Sequence, residues 1–406
     1  MNRTVVLAAP ILAVGLIVPV GMTGANADLS PIPAVPVVDG VPLCGTVGTG
    51  DGSNDGVLKV SSFNVLHSDT DDGDLSLGDR LELEADDIVA SGADVVGMQE
   101  VTRNAVFDPG GEYPQEHGTV AERFATELSG RTGSAWHWCF FRSNPHVPGT
   151  PDIQEGGGNP LDDLAAAFGN FPGPGDFSEG IAIVSRFPIE ESRSHRLLPR
   201  SYESPACTPA DPTDIPGTLG GLQDQLLGCN LAGVFDSRQV LWARIGAPVS
   251  QGGDIDVFNT HIAHGITALS NTTKLLQVHQ ILQWIELWSD PATPDFLTGD
   301  FNSSPDTDRI KAVTDAGFVD SYAAAGEPEC NASTGVGCTG NPPAGEEVWT
   351  TTSTRTMGSR IDYVFSRNGC TPTASEIIGD VATQVSPTEW LWPSDHLGVS
   401  SSFTCS

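Results

Sequence analysis

From residue 57 onward, the hydrophobic positions of the chain follow two periods that alternate along the sequence. Runs in which apolar and polar residues alternate, or in which apolar residues are continuous, are typical of strands, whereas apolar residues every three or four positions are typical of amphipathic helices. The predicted strands are 58–63, 94–98, 136–141, 178–188, 240–245, 255–260, 362–365 and 397–404, and a further strand ends at 296–297. The predicted helices are 80–91, 119–129, 272–288 and 306–316. Because strands and helices alternate, the pattern predicts a layered α/β domain.

Three stretches between these elements are rich in glycine, proline and polar residues, namely 144–177, 201–230 and 330–346. Loops of this length inside a compact domain are usually functional or disordered. A fourth stretch, 67–79, is rich in aspartate, but it lacks the ligand spacing of a calcium-binding loop, which favours a solvated loop. The sequence therefore predicts one catalytic domain, 57–406, with long loops between its elements.

The first residues carry a different pattern. An apolar run from residue 5 to residue 20 follows a short basic start, and Ala25-Asn26-Ala27 has the small-residue spacing of a signal-peptidase site. This pattern predicts a secretory signal peptide, 1–27, cleaved after Ala27. A retained membrane anchor is the alternative, which the shortness of the apolar run disfavours. Residues 28–56, rich in Pro, Gly and Asp, are predicted to form a linker or strap. We therefore expect a secreted, extracellular protein.

Eight cysteines follow the predicted signal peptide. An even number of cysteines in an exported chain favours disulfides, whereas a zinc site is disfavoured because no two cysteines are separated by two residues. Proximity in sequence and the predicted strands suggest four pairs: Cys207–Cys229, Cys330–Cys338, Cys370–Cys405 and Cys44–Cys139.

The chain of 406 residues is strongly acidic, with a formal net charge of −33 and only three lysines. A general basic surface that would hold a phosphate-rich partner is therefore excluded. Any polyanion must be met by local arginines and by metal. The acidity itself is expected to keep an exported protein in solution.

Polar residues that could bind a ligand or take part in a reaction lie at the ends of the predicted strands. A carboxylate and an amide at a strand's carboxyl end suit a hard cation and a phosphate oxygen. The stretches are 62–66 (SFNVL), 98–101 (MQEV), 259–261 (NTH), 299–302 (GDFN), 360–365 (RIDYVF) and 394–396 (SDH).

In this order, these stretches resemble the motif set of the endonuclease/exonuclease/phosphatase superfamily, which includes deoxyribonucleases, AP endonucleases, sphingomyelinases and inositol polyphosphate phosphatases. The resemblance covers residues 57–404. It implies the fold class α/β, specifically a four-layer α/β/β/α sandwich of two mixed sheets flanked by helices. It also implies hydrolysis of a phosphoester with the help of a divalent metal ion, for which Mg²⁺ is expected and Mn²⁺ or Ca²⁺ is an alternative.

Metal binding is assigned to three residues. Glu100 is expected to ligate the ion, because Mg²⁺ takes one or two carboxylates together with water and phosphate. Asn64 would complete the metal shell or hold a phosphate oxygen. Asp395 would contact a second metal ion or support the site.

The resemblance also assigns proton transfer and phosphate contacts. His396 is the implied general base, and Asp362 is the carboxylate that orients its ring and stabilises its charge. Asp300 and Asn302 match family positions that bind or orient the water and the phosphate. His396 and Asp362 are also a chemically sensible pair, because a general base needs a neutral imidazole in one tautomer.

His261 matches the family histidine that contacts the scissile phosphate and assists the leaving group. His264 is a nearby alternative, but His261 directly follows the predicted strand 255–260 and is preferred. The resemblance to deoxyribonuclease-like members also implies a pairing of His261 with Glu179.

Trp390 and Trp392 precede the last motif, and Pro393 restricts Trp392 to extended geometry. We expect this segment to form a cleft wall, where the two rings would stack on bases or contact a membrane surface; the alternative is that both rings pack inward. Export and the implied Glu179–His261 pair favour an extracellular endonuclease acting on nucleic acid. A sphingomyelinase-like enzyme acting on phospholipid, a phosphatase on small phosphoesters and a non-catalytic binding protein are the alternatives. We expect a monomer without a membrane span.

Overall fold

The structure, a computed structural model, describes residues 42–50, 56–66, 77–103, 119–144, 178–197, 238–248, 251–265 and 268–405. The predicted signal peptide, the first part of the predicted linker, most of the aspartate-rich loop and the predicted Cys207–Cys229 pair lie outside these residues. None of the described helices is long and apolar enough to cross a bilayer.

The described strands are β1 (Leu43–Val47), β2 (Leu58–Asn64), β3 (Val95–Arg103), β4 (Trp136–Asn144), β5 (Ser178–Ser185), β6 (Ile189–Arg196), β7 (Gln239–Gly246), β8 (Asp254–His261), β9 (Asp295–Asp300), β10 (Val319–Asp320), β11 (Trp349–Thr350), β12 (Asp362–Arg367), β13 (Cys370–Ile378), β14 (Thr383–Ser386), β15 (Glu389–Leu391) and β16 (Gly398–Cys405). The described helices are α1 (Leu77–Ser91), α2 (Val120–Thr132), α3 (Ala268–Trp288), α4 (Asp308–Asp315) and α5 (Ser321–Ala324).

Two large sheets and one small sheet organise these strands. The seven-stranded sheet has the order β1-β4-β5-β3-β2-β16-β13, and the six-stranded sheet has the order β10-β12-β9-β8-β7-β6. Both large sheets are mixed, because β2 pairs with β3, and β8 with β9, in parallel, while their other pairings are antiparallel. Each sheet thus contains one parallel pair whose carboxyl ends meet at the same edge.

Three hydrophobic clusters hold four layers together. Leu81 of α1 and Phe124 of α2 join the outer face of the seven-stranded sheet. Ile281 of α3 and Val313 of α4 join the outer face of the six-stranded sheet. The two sheets bury a third cluster between them, which includes Leu58, Val60, Leu241, Phe296 and Phe403. The predicted α/β/β/α sandwich is confirmed.

Helix boundaries follow from local chemistry. The hydroxyl of Thr119 accepts the backbone N–H of Glu122 at 3.0 Å and so caps the start of α2. Gly133 ends this helix in the left-handed conformation, φ 67°, which costs glycine little. The predicted helix at 119–129 is therefore confirmed, and its last turn extends to Thr132.

The described part of the predicted N-terminal linker or strap includes a strand that the hydrophobic pattern did not predict. Residues Leu43–Val47 form β1, which pairs antiparallel with β4 at the edge of the seven-stranded sheet. The register places Cys44 opposite Cys139, and a disulfide joins them. The hydrophobic pattern missed this strand because an edge strand that is mostly exposed has no buried face to mark in the sequence. Disulfides Cys330–Cys338 and Cys370–Cys405 also form as predicted.

A buried polar layer joins the two sheets below their common edge. The side-chain amide of Asn259 donates to the carbonyl oxygens of Met98 and Ala182 at 2.7 and 2.8 Å, and it accepts from Gln99 at 2.7 Å. Gly97 allows this approach, because a Cβ at that position would lie 2.0 Å from the Thr298 hydroxyl. The layer fixes how the ends of the two parallel strand pairs face each other.

Candidate active site

The sequence-predicted site residues converge where the parallel pairs of both sheets end. In the six-stranded sheet, the register places Asp300 at the end of β9 between His261 of β8 and Asp362 of β12. Three motifs that are far apart in the chain thus lie side by side on adjacent strands. Asn64 ends β2 of the facing sheet, opposite Gln99 of β3.

Asn64 links the two sheets at this point. Its side-chain nitrogen donates to Oε1 of Glu100 at 2.9 Å and to Oδ2 of Asp300 at 3.3 Å. Its side-chain oxygen accepts the backbone N–H of Leu66 at 3.1 Å. Asn64 therefore bridges two carboxylates that come from different sheets.

Glu100 reaches the site through a local distortion of its strand. Its φ is 58°, a left-handed value that is uncommon for residues other than glycine. The pairing of β3 with β5 is interrupted between Met98 and Val101, which brackets Glu100 in a bulge. Bulges redirect a side chain at the cost of local strain, and they are frequent beside active sites. Nothing in the sequence around Glu100 signals this conformation.

His396 and Asp362 form a buried pair, as the resemblance implied. Nδ1 of His396 lies 3.0 and 3.2 Å from the two carboxylate oxygens of Asp362. Burial alone lowers the pKa of His396, but the charges of Asp362, Asp395 and Asp300 outweigh burial and hold the pKa well above its ordinary value. The hydroxyl of Thr339 accepts the backbone N–H of Asp362 at 3.1 Å and fixes the carboxylate's strand end.

Oδ2 of Asp300 is the focal atom of the cluster. Nδ2 of Asn64 lies 3.3 Å from it, Nε2 of His261 3.4 Å and Nε2 of His396 3.8 Å. Oδ1 accepts the backbone N–H of Asn302 at 2.7 Å. Burial, reinforced by the charge of Asp362, raises the pKa of Asp300 to about 7, while the charge of His396 opposes this rise.

Asn302 and His261 form the third part of the cluster. Nδ2 of Asn302 lies 3.2 Å from Nε2 of His261 and donates to the carbonyl oxygen of Ile262. Asn302 has φ 43°, and the buried ammonium of Lys274 on α3 donates to its carbonyl oxygen at 2.8 Å. Of the two candidate histidines, His261 thus lies in the cluster, and His264 is half-buried.

The family of the chain follows from its similarity to known proteins. A model of the Endonuclease/Exonuclease/phosphatase family matches residues 61–396, from β2 through His396. The chain belongs to this family. Family members hydrolyse phosphoesters, and the site described above lies within the matched residues. No curated protein matches the chain.

Solved structures of family members share the fold. An endonuclease/exonuclease/phosphatase from Beutenbergia cavernae superposes with a TM-score of 0.51 at 20% identity, over 86% of this chain and 72% of its own. A family protein from Bacteroides thetaiotaomicron superposes with a TM-score of 0.52 at 16% identity, over 86% and 98%. A mannosyl-6-phosphatase from Bacteroides thetaiotaomicron superposes with a TM-score of 0.51 at 18% identity, over 85% and 99%. At these identities the likeness shows the fold alone.

The remaining predicted site residues are Asp395 and Glu179. Asp395 is half-buried; its Oδ1 accepts the hydroxyl of Ser394 at 3.3 Å, and its charge contributes to the raised pKa of His396. Glu179 lies on β5 opposite Thr102 of β3, but its side chain is outside the described part of the chain. The implied Glu179–His261 pair therefore stays a prediction.

The predicted cleft wall needs a correction at Trp392, which is only 3% exposed. Its indole N–H donates to the hydroxyl of Thr350 at 2.9 Å, and the guanidinium of Arg355 lies over its ring at 4.4 Å. Because one face of the ring is covered and the indole is buried, Trp392 cannot stack on a base. Trp390 is half-buried on β15. The sequence could not show this, because the covering residues, Thr350 on the two-residue strand β11 and Arg355 after it, belong to no hydrophobic period.

The family's divalent cation fits the donor set of this site. One ligand atom from each of Asp300, Asp362 and His396 lies within 4.8 Å of the others, and all three residues are buried. Asn64 connects this cluster to the carboxylate of Glu100. Carboxylate oxygens are the ligands that Mg²⁺ prefers, and several buried acidic groups without a cation are unfavourable. The residues present thus suit a hard divalent cation.

Proposed function

We propose that this chain is an exported, divalent-metal-dependent phosphodiester hydrolase and that it acts as an endonuclease. One observation carries the proposal. The side chains of Asn64, His261 and His396, each from a different motif, converge on Oδ2 of Asp300. The disulfides agree with export, because such bonds persist in oxidising compartments.

His396 acts as the general base in this proposal. Its Nδ1 is engaged by Asp362, so that Nε2 is the nitrogen that faces Asp300. The 3.8 Å between Nε2 and Oδ2 of Asp300 exceeds a hydrogen bond, and a water placed between them would be oriented by both groups. The carboxylates around His396 hold its pKa well above the ordinary value and so favour a protonated ring. Nε2 would be free to take a proton once a divalent cation on the neighbouring carboxylates opposes this charge, and the carboxylate of Asp362 would stabilise the resulting imidazolium.

Asn302 and His261 face the phosphate. The Asn302 amide and the ring of His261 lie on the side of Asp300 away from Asp362, where they donate to phosphate oxygens and to the leaving oxygen. Of the groups in the cluster, Glu100 and Asp300 would hold the divalent ion, with Asn64 between them and Asp395 in support, whereas Asp362 and His396 would stay paired with each other for proton transfer. When bound, the ion neutralises charge on the phosphate and polarises the scissile bond.

A phosphatase acting on small phosphoesters is the second candidate function. One structural relative is a mannosyl-6-phosphatase, although the likeness itself shows only the fold. The burial of Trp392 removes one stacking surface that an endonuclease could use, and the charge of −33 repels a polyanion as a whole. A sphingomyelinase-like activity is the third, and zwitterionic lipid would not be repelled.

A substrate panel tests the proposal. The protein is incubated with plasmid DNA, RNA, sphingomyelin liposomes, bis(p-nitrophenyl) phosphate and mannose 6-phosphate, each with Mg²⁺, Mn²⁺ or Ca²⁺. His396→Ala, purified identically, is the control for contaminating hydrolases. Plasmid nicking that the control lacks supports the endonuclease. Phosphate release from mannose 6-phosphate with intact plasmid would overturn the endonuclease proposal in favour of the phosphatase. Phosphocholine release with intact plasmid would overturn it in favour of the sphingomyelinase-like enzyme.

A further inference from the structure

A buried arginine outside the cluster contacts two of the loops that adjoin site residues. Arg80 lies on α1, the helix that covers the seven-stranded sheet, and it is 0% exposed. A charged side chain is rarely buried to this extent unless it is fully engaged. The proposed mechanism gives Arg80 no chemical role, so its burial needs another explanation.

The guanidinium of Arg80 binds the backbone of two loops. Nη1 donates to the carbonyl oxygen of Val65 at 2.8 Å and to that of Pro393 at 3.2 Å. Nη2 donates to the carbonyl oxygen of Leu66 at 3.2 Å. A carboxylate oxygen of Glu84, on the same helix, lies 3.9 Å from Nη1. Three of the contacts of the guanidinium are thus to backbone carbonyl oxygens.

These two loops carry site residues from opposite ends of the chain. Val65 directly follows Asn64, and Pro393 directly precedes Ser394, Asp395 and His396. A second bond joins the same loops, because the hydroxyl of Ser394 donates to the carbonyl oxygen of Asn64 at 2.7 Å and accepts the backbone N–H of His396 at 3.1 Å. Arg80 therefore sits behind the junction at which Asn64 and His396 are held together.

We propose that Arg80 is a positioning residue, whose guanidinium fixes the Asn64 loop against the His396 loop and so sets the distance between the carboxylate-binding amide and the general base. The planar fork reaches carbonyl oxygens in two directions at once, which an ammonium on a flexible stem does less well. Small errors in the position of catalytic groups cost large factors in rate, so a group that never touches substrate can control kcat.

Four variants test this inference, which rests on the proposed function for its activity readout. Arg80→Met removes the carbonyl contacts, Arg80→Lys keeps the charge, and Glu84→Gln removes the neighbouring carboxylate while leaving those contacts in place. Leu81→Ala weakens the packing of α1 but removes none of the hydrogen bonds from Arg80 to the two loops. The assay is hydrolysis of bis(p-nitrophenyl) phosphate with Mg²⁺, expressed per folded molecule, with Tm from thermal unfolding.

Arg80→Met is expected to lower kcat about 10- to 100-fold with KM changed less than about 3-fold, and Arg80→Lys to recover part of the loss. Glu84→Gln and Leu81→Ala are expected to keep kcat within about 2-fold even where Tm falls. An Arg80→Met enzyme with unchanged kcat would overturn the inference, as would a Leu81→Ala enzyme that loses as much kcat for the same fall in Tm. If Arg80→Met does not fold, Arg80→Lys decides: a kcat equal to the parent's overturns the inference.

A crystal structure of Arg80→Lys separates this inference from the proposed function. The contact between Ser394 and the Asn64 carbonyl, 2.7 Å in the parent, should lengthen as the loops move apart. Unmoved loops would overturn the positioning role even in a protein with another activity. A parent protein that hydrolyses none of the substrates, in which Arg80→Lys nevertheless displaces the loops, would contradict the proposed function and support the positioning role.

Discussion

The interface between the two sheets has two ends that differ in composition. At one end Phe296 of β9 packs edge-to-face on Phe403 of β16, with ring centroids 4.9 Å apart. At the other end the same strand finishes with Asp300, surrounded by Asn64, His261 and His396. One strand thus contributes to the apolar core and, four residues later, to the candidate site.

The difference shows that one strand carries both residues that stabilise the fold and residues proposed for catalysis, rather than each kind lying in its own domain. The apolar end removes large side chains from water, which favours folding. The polar end buries Asp300, Asp362 and His396 together, which opposes folding unless charge is neutralised. The polar layer at Asn259 separates the two ends and supplies hydrogen bonds to both sheets. Mutations at the polar end should therefore change mainly kcat, and mutations at the apolar end should change mainly the free energy of unfolding.

The largest expected effect is on the rate, at the polar end. His396→Ala should lower kcat by about 10² to 10⁴, the usual range for a lost general acid–base group, because no other group in the cluster is held to take a proton at that position. Tm measured with Mg²⁺ should fall less than that of Phe296→Ala, because a bound cation can neutralise the carboxylates of Asp362 and Asp300 that the ring leaves behind. Steady-state kinetics with Mg²⁺ on the best substrate measures the first effect and calorimetry the second. A normal kcat would refute the assignment of His396.

At the apolar end the expectations are reversed. Phe296→Ala should lower the free energy of unfolding by about 3–5 kcal/mol, the usual cost of emptying a fully buried phenylalanine site. The kcat per folded molecule should stay within about 2-fold of the parent, well below the unfolding transition. Denaturant unfolding and kinetics on the same sample test both parts. A loss of kcat comparable to that of His396→Ala would mean that the two ends are not separable.

A smaller effect concerns the pH dependence of stability in the metal-free protein. The pKa of Asp300 is about 7 in the folded state, against an ordinary value of 3.8, so that the folded state binds more protons than the unfolded state between these values. The stability that the protonated Asp300 contributes should therefore be lost as pH rises from about 4 to about 7. The raised pKa of His396 acts in the same direction, since its contribution is lost as pH rises through that pKa.

Thermal unfolding in EDTA at a series of pH values, compared between the parent and Asp300→Asn, isolates this contribution. Asparagine does not titrate, so the variant should become more stable relative to the parent as pH rises. Mg²⁺ should reduce the difference, because a bound cation replaces the proton in neutralising Asp300. A difference between the two proteins that is the same at every pH would contradict the expectation.

The smallest effect lies at the rim of the site. Trp392→Phe removes the indole N–H that donates to Thr350 and leaves most of the buried ring in place. The expected loss is about 1 kcal/mol, the net value of one buried hydrogen bond. Because the ring is buried, kcat and KM for DNA should not change. Denaturant unfolding and plasmid nicking are the measurements, and a rise in KM for DNA alone would restore a stacking role for Trp392.

The same comparison explains what could be predicted from the sequence. The layers were predictable, because β2 alternates apolar and polar residues, β3 begins with an apolar run, and both strands lead into recognisable motifs. The exposed edge strand β1 carries no such signal, and it is held by pairing and by the Cys44–Cys139 disulfide. The left-handed conformation of Glu100 was not predictable, because it depends on the bulge in β3.

Supporting residues were harder to predict than the residues they support. Thr339 and Lys274 hold Asp362 and Asn302 through single backbone contacts, and neither belongs to a motif. Lys274 is one of only three lysines and lies on a helix, where a lysine is usually exposed. Only the fold shows that its ammonium points into the loops of the site. The burial of Trp392 likewise depends on contacts with Thr350 and Arg355. The hydrophobic pattern of the sequence does not indicate that these residues meet.

The most direct test of the account is the metal dependence of hydrolysis. The parent protein is treated with EDTA, dialysed, and assayed on bis(p-nitrophenyl) phosphate before and after addition of Mg²⁺, beside a Glu100→Gln variant. The account predicts that activity is lost in EDTA, returns with Mg²⁺ in the parent, and stays largely absent in the variant. Full activity in excess EDTA would contradict the claim that the carboxylate cluster at the sheet ends works with a divalent cation.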